Sequence, residues 1–520
     1  MLAFLEPLEE LADYQEIVRK RGKAEGILQI AGCVSSQKTH LMYALGDGFE
    51  YRVIVFSSEE KAKQAYEEYK MLEENTFLYP AKDLLFYHAD IKGAALTGKR
   101  MEVLKKLTEK KNREPVTVIT TADAFLDGLP SKEKLWESRI EIEAGAVIDF
   151  QKLQEELVHL GYERESQIEG PGQFAVRGGI LDVYPLTEEI PVRIELWGDE
   201  IDSIRSFDVE SQRSVENMEQ VVIYPATENV EKEEQAVSFA EYFPKEKSLF
   251  FFDEPVRLQE TLEAVEKEYF HSFESRKNAG MTEEADEIRV FQTKEIIEKF
   301  NTRYGIGLTT LETRCGGFKV RDVYSIQAAG VNPYNNSFEM LTQDLKKLKR
   351  QGYRVILVSG SRTRAKRLAE DLRDYDLSSF YSEDMVRTVR PGEIMVVYGC
   401  VAEGYEYPML KFMVISESDI FGKRKKKRRR KVYEGQKIQE FAELKPGDYV
   451  VHENHGLGVY QGIEKVEVDK VTRDYMKISY ADGGILYILA TQMDLIQKYA
   501  GADAKPPKLN KLGTPQWNKT

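Results

Sequence analysis

Cysteine is nearly missing: only Cys33, Cys315 and Cys400 occur in 520 residues. Their wide separation excludes a disulfide framework and supplies no zinc spacing, which fits a reducing compartment. Histidine is scarce too, six in all, and the one close pair, His452 and His455, lacks further ligands around it. Satisfied turn histidines are the plain reading, so no metal is expected. No apolar run approaches the roughly 18 residues of a membrane span. The opening MLAFLEPLEELADYQEIVRK is acidic where a secretion signal is basic. A soluble, cytoplasmic chain without membrane contact is therefore expected. Net positive charge is also lacking: at −14 the chain has little general attraction for DNA, because nonspecific binding needs Lys and Arg to neutralise phosphates. The length implies three to five domains, each able to bury its own core.

Among the residues present, alternation is clearest in PVRIELW. Val192, Ile194 and Leu196 fall on one face, and Arg193, Glu195 and Trp197 on the other, the period of a half-buried strand. A tryptophan beside an arginine on the outer face suits a protein-binding sheet, since both dominate binding hot spots. A packing partner within the same chain would cover them equally well, and the residues alone leave both readings open.

Residues 4–19 place Leu5, Leu8, Leu11, Ile17 and Val18 at helical spacing. A buried strand at 27–30 then runs into AGCVSSQKTH, a near miss for the phosphate loop GxxxxGK[ST]. Gly32, Lys38 and Thr39 are in place, but Gln37 stands at the second glycine. A Cβ there obstructs both the loop conformation and the approach of a ligand. Further on, KSLFFFDEP sets Asp253 and Glu254 at the end of an apolar strand. In a working ATPase such a pair holds Mg²⁺ and polarises water, but it needs a bound triphosphate to act on. Strands at 51–58, 76–80 and 116–121 alternate with helices at 59–74 and 98–112, which predicts a parallel sheet of the RecA type. The first domain therefore reads as a degenerate motor kept as scaffold, with no catalytic residue.

Residues 256–300 read as charged helix and 331–337 (VNPYNNS) as a linker. Helix, strand, helix and strand follow over 338–422, a small α/β domain. KRKKKRRRK (423–431) is a solvated, self-repelling linker or a nucleic-acid patch, readings that do not exclude one another. Short strands between Gly and Asp turns over 443–500 predict a small barrel.

The run GxFxxRGxxxDxxP at 172–185, followed by RIELWGDEIDSIRSFD, resembles the middle domain shared by the repair protein UvrB and the transcription-repair coupling factor Mfd. FDVESQRS (207–214) is nearer the Mfd version. The resemblance implies that this domain docks UvrA, with Arg177, Arg193 and Trp197 at the matching positions. YPAKDLLFY (79–87) resembles the Mfd family's counterpart of a UvrB segment near its DNA-gripping hairpin, but no aromatic hairpin insertion follows. SGSRTRAKRLAEDL faintly resembles the start of a second helicase lobe and carries no chemistry. GDYVVHENHGLGVYQGI resembles the CarD-type module that in Mfd binds the RNA polymerase β subunit. The family binds through an exposed strand edge, which here implies Tyr475, Met476, Lys477 and Ile478.

Together these readings predict a multidomain α/β protein. A degenerate RecA-like P-loop domain (1–139 and 229–337) carries an inserted UvrA-binding α+β domain (140–228). A small α/β domain (338–422), a basic linker (423–442), a small β-barrel of CarD/Tudor type (443–500) and a tail (501–520) follow. The resemblance implies a transcription-coupled repair adaptor between UvrA and RNA polymerase. ATP, Mg²⁺ and the main DNA contact would belong to a translocase motor beyond Thr520. The rival expectation is a UvrB-like DNA helicase of damage verification.

Overall fold

The computed structural model describes residues 2–82, 94–109, 114–209, 211–228, 236–278, 290–383, 386–422, 435–437, 447–452, 456–468, 471–481, 484–489, 496–499 and 509. At the start, α1 (Leu2–Leu5) gives way to a 3₁₀ turn (Glu6–Glu10) and then α2 (Ala12–Lys20). The single helix expected over 4–19 is thus broken, with Pro7 in the 3₁₀ turn and Leu11 extended at ψ 120°. Next come β1 (Gly26–Ala31), α3 (Ser35–Leu45), β2 (Tyr51–Phe56), α4 (Glu59–Lys70), β3 (Thr76–Tyr79), α5 (Ala94–Thr108), β4 (Val116–Thr121) and α6 (Lys132–Glu137). Every residue of β1, β2 and β4 is buried. Burial of both side-chain sets, including the polar Gln29, Arg52 and Thr117, marks strands covered on both faces. Of the segment 79–87, residues 83–87 lie outside the described residues.

The middle region consists of β5 (Ile140–Glu143), α7 (Phe150–His159), β6 (Glu163–Glu165), β7 (Gln173–Arg177), β8 (Ile180–Val183), β9 (Val192–Trp197), β10 (Glu200–Phe207), β11 (Ser214–Met218) and β12 (Gln220–Ile223). Six of the strands form one sheet in the order β11-β10-β9-β8-β7-β6, and β5 pairs with β12. Asp149 caps α7 by accepting from the Lys152 N–H. Leu153 and Leu157 then pack against Leu181, Val192 and Ile194 on one sheet face. The opposite face is partly covered, with Ala175, Asp182 and Phe207 buried on it, and opens to water toward Trp197.

The chain returns to the first sheet with β13 (Ser248–Asp253), α8 (Pro255–Asn278), α9 (Thr293–Asn301), β14 (Tyr304–Thr309) and β15 (Val320–Ser325). The seven strands run β15-β1-β14-β13-β2-β4-β3, and each neighbouring pair is parallel. The expected parallel sheet is present, with the middle region inserted between β4 and β13.

A second α/β sheet follows, built from β16 (Ala329–Gly330), α10 (Phe338–Arg350), β17 (Arg354–Ser359), α11 (Arg362–Arg373), β18 (Ser379–Ser382), β19 (Ile394–Tyr398), β20 (Tyr405–Tyr407), β21 (Phe412–Ser416) and α12 (Glu417–Phe421), in the order β16-β20-β21-β17-β19-β18. The pattern helix, strand, helix, strand had missed β18, β20 and β21. β16 also comes from ahead of Phe338. The expected linker 331–337 is anchored: Tyr334 is buried, its hydroxyl bonds Asp344 at 3.0 Å, and its N–H donates to the Asp419 carbonyl at 2.7 Å.

α10 and α11 cover one face of this second sheet. Its other face has no helices of its own and lies on α3 and α4 of the first unit, where Ile356, Val397, Tyr405, Tyr407 and Phe412 share a core with Leu41 and Tyr69. The first sheet uses the same helical layer and has α5, α8 and α9 on its far side. Two sheets therefore share one set of helices. Residues 338–422 produced alone should aggregate in size-exclusion chromatography, because that apolar face would be open. Residues 1–422 should stay monomeric, and a monomeric, cooperatively melting 338–422 fragment would contradict the shared layer.

The last sheet contains β22 (Gly435–Lys437), β23 (Tyr449–His452), β24 (Gly456–Val468), β25 (Val471–Ser479), β26 (Ile485–Leu489) and β27 (Ile496–Tyr499), in the order β22-β27-β23-β24-β25-β26 with every pair antiparallel. Three residues of the expected basic linker thus join this sheet as β22. Among the described residues no ladder joins β22 to β26, the closure that the expected barrel requires. The run 423–431, His455 and nearly all of 501–520 lie outside the described residues.

Candidate functional site

The loop after β1 does bring its residues together. Gly32 takes φ +87° with the Ile326 carbonyl close by, where a side chain would be strained. Gln37, fully buried, accepts the Val34 N–H at 3.1 Å and so closes the first turn of α3. Lys38 donates to Asp253 Oδ1 at 2.6 Å and to Glu254 Oε1 at 2.7 Å, and Lys61 reaches Asp253 at 3.2 Å. Glu254 also accepts from the Thr310 N–H and hydroxyl at 2.9 and 2.8 Å. Burial pushes the Glu254 carboxyl up, but Lys38 and Thr310 outweigh it and hold the group below its ordinary range. Burial likewise works against the Lys38 ammonium, yet Asp253 and Glu254 hold it above its ordinary range.

Carboxylates also close the start of α3. Glu68 accepts from Ser36 Oγ at 2.7 Å and from the Ala402 N–H at 3.0 Å, with the polar side chains of Thr39 and Gln64 close by. Burial raises its pKa above these opposing bonds. Ser35 bonds Glu403, and the Glu403 N–H donates to Ser36 Oγ at 3.2 Å. A helix start attracts anions; here the chain's own carboxylates occupy that place. One turn on, His40 bridges the Phe4 carbonyl at 2.9 Å and the Tyr407 hydroxyl at 3.0 Å. Burial pushes its pKa down to about 4, so the ring is neutral. No sequence pattern had flagged His40, because its partners come from distant segments.

In the middle sheet, burial follows the alternation: Val192 and Ile194 are buried, while Trp197 is 83% exposed. The two arginines, however, converge on one carboxylate. Arg193 donates to Asp182 at 2.6 and 3.0 Å, donates to Gln212 at 3.0 Å, and lies 4.4 Å over the Phe207 ring. Arg177 bonds the same Asp182, whose side chain is 1% exposed, against 15% for Arg193 and 46% for Arg177. Arg193 is thus largely a fixed part of the sheet, whereas Trp197 and Arg177 offer contact area. Gly198, at φ +65°, makes the tight turn in which Trp197 pairs with Glu200 at the strand end.

The strand edge expected at Tyr475–Ile478 is corrected by the pairing. β25 has a partner on each side: Met476 pairs with Ile463 of β24 and Ile488 of β26, and Met476 and Ile478 are fully buried. Its backbone groups are engaged in two ladders and have none left for a third strand. Among the described residues the sheet's outer strands are β22 and β26. The edge was implied by the family resemblance, and strand order is not written in local sequence. His452 is buried in this sheet.

One buried network had no sequence signal. Arg100, fully buried on α5, donates to Asp127 at 2.6 Å, to Glu228 at 2.9 Å and to the Pro80 carbonyl at 2.8 Å, and lies 4.3 Å over Tyr79. Lys82 adds an ion pair to Glu228 at 2.6 Å. The cluster ties segment 79–82 to the exit of the middle region. Among the described residues no group of three or more His, Cys, Asp or Glu could hold a metal, and no helix is long and apolar enough to cross a membrane.

Residues 140–229 match the family described as the UvrB interaction domain, and residues 444–500 match the CarD-like/TRCF RID domain. The chain is 27% identical to the transcription-repair-coupling factor of Bacillus subtilis over 98% of its own length and 48% of the relative's. It is 30% identical to that of Staphylococcus aureus, over 86% of this chain and 43% of the relative. The chain thus spans about half the length of the curated relatives it matches.

Proposed function

Because the chain is a homologue of transcription-repair-coupling factors and carries both a UvrB interaction domain and a CarD-like/TRCF RID domain, we propose that it works as a two-ended cytoplasmic adaptor of transcription-coupled repair. One end, the solvent face of β9 with Trp197 and Arg177, docks UvrA. The other, the last sheet, docks RNA polymerase through its β subunit. The observation that carries the reading is Trp197, 83% exposed beside an arginine pair held by a buried aspartate. A large aromatic in water over a rigid polar support has the character of a hot-spot anchor.

No nucleotide cofactor serves this segment in our reading, since Lys38 and the α3 start are already closed by carboxylates. ATP, Mg²⁺, translocation and the main grip on DNA are assigned to a motor outside these residues. The rival reading, a UvrB-like helicase, needs an open phosphate loop and is disfavoured by the same contacts.

For the polymerase we assign β26, an outer strand among the described residues, in place of 475–478, because only a strand with an unpaired side can recruit another. The test measures binding of the chain to purified UvrA and to the polymerase β subunit. Ile485→Glu, at the exposed start of β26, should weaken β-subunit binding at least about tenfold and leave UvrA binding intact. Lys477→Glu should have the smaller effect; the reverse ranking would return the interface to β25. Failure of the parent chain to bind either partner would end the adaptor reading.

A further inference from the structure

Neither partner face accounts for the charge on α11. Arg362, Arg364, Lys366 and Arg367 place four cations in its first six residues, and no acidic residue stands in its first turn. That arrangement costs stability, because amide dipoles at a helix start favour anions and disfavour cations. Arg364 offsets its cost through Glu417. Arg362 reaches Glu383 only at 3.6 Å and Arg367 reaches Asp371 only at 3.9 Å, with the arginine side chains 67% and 80% exposed. Exposed pairs of that kind contribute little.

The cations are also held in place. Arg362 lies 5.3 Å over Tyr398 and Lys366 lies 5.3 Å over Tyr381. Tyr381 of β18 pairs with Val396 of β19, two residues before Tyr398, so both rings share a sheet face and the cations gather beside the β18 edge. The surroundings allow a positive surface: residues 338–422 hold 13 Lys and Arg against 13 Asp and Glu, while the whole chain carries −14. A local rule of helix stability is broken, and apart from the Arg364 pair the internal contacts that answer it are weak and exposed, which marks a position kept for something outside the chain.

We propose that this ridge, Arg362, Lys366 and Arg367 on α11 beside the β18 edge, contacts the phosphate backbone of double-stranded DNA. Phosphates there would neutralise three cations and complement the helix start at once. A single strand is the poorer fit, because it needs open aromatic faces for stacking, and both tyrosines already carry a cation. The contact is sequence-independent and gives this segment its own hold on the template.

Fluorescence anisotropy of a labelled 25-base-pair duplex with the full 520-residue chain at about 50 mM salt tests it, the range in which backbone contacts dominate affinity. The triple variant Arg362→Gln, Lys366→Gln, Arg367→Gln should bind at least tenfold more weakly. Its log–log salt dependence should be shallower by about 2 to 3, at roughly 0.9 per lost contact. Arg367→Glu alone, at a largely exposed side chain, guards against misfolding, and thermal melts should match the parent. In a chain whose 423–431 run is replaced by Gly and Ser, the triple substitution should still weaken binding. Equal binding by parent and triple variant, no duplex binding by the parent, or binding that depends only on 423–431 would each overturn the proposal. So would a preference for single-stranded DNA or RNA that is lost on Tyr381→Leu.

Discussion

Lys38→Ala should lower the unfolding free energy of the chain by about 3 kcal/mol, the cost of removing one partner from a buried ion pair. The variant leaves Asp253, whose side chain is 2% exposed, and Glu254 facing each other, with only the half-exposed Lys61 nearby. Lys61→Ala, by comparison, should cost under about 1 kcal/mol. The pH dependence has a definite sign. Glu254 has a folded pKa below its ordinary value, so its contribution is present at neutral pH and is lost as pH falls through that depressed value. Lys38 is raised, so its contribution persists through neutral pH and is lost only as pH rises through its raised value. In the variant Asp253 keeps Lys61 and Glu254 keeps Thr310, but Glu254 loses the ammonium that helps hold its pKa down. The gap between parent and variant should therefore be full at pH 7 and narrow only as pH falls below about 4.5, where Glu254 takes up its proton, as urea midpoints would measure. Neither protein should bind ATP. Saturable ATP binding by the parent that disappears in Lys38→Ala would refute the scaffold reading, as would a variant as stable as its parent.

Trp197→Ala and Arg193→Ala should fail in different ways. Trp197 is mostly in water, so its removal should leave the melting temperature unchanged and reduce UvrA affinity by about 2 kcal/mol, roughly thirtyfold. Arg193 supplies two of the bonds to buried Asp182 and packs on Phe207. Its removal should cost about 2 kcal/mol of stability, since hydrogen bonds to charged groups are the more expensive ones to lose. Affinity should fall as well if the sheet loosens beneath Trp197. Asp182→Asn, which keeps the shape and removes the charge, should resemble Arg193→Ala in the melt. Wild-type UvrA affinity in Trp197→Ala, measured by titration calorimetry, would remove β9 from the interface. An Arg193→Ala chain as stable as its parent would mean that Arg177 alone satisfies Asp182.

The sequence by itself determined whatever depends on neighbours a few residues apart. Unbroken apolar runs such as VIVF and LFFF specified doubly covered strands, and the alternation in VRIELW specified which side of β9 meets water. The spacing of Gly32, Gln37 and Lys38 showed a phosphate loop in outline and its defect. Only the tertiary structure decided the matters that rest on segments distant in the chain. It made Arg193 a support and left Trp197 as an anchor, through an aspartate on the neighbouring strand. It placed β25 between two ladders, since strand order depends on which chains meet and not on their own composition. It laid the second sheet on α3 and α4, where Glu68 and the 402–403 backbone close the helix start, and it brought Arg100 to Glu228 across 128 positions. Burial and charge pairing of this kind depend on low dielectric and close contact, and both exist only after the chain has packed.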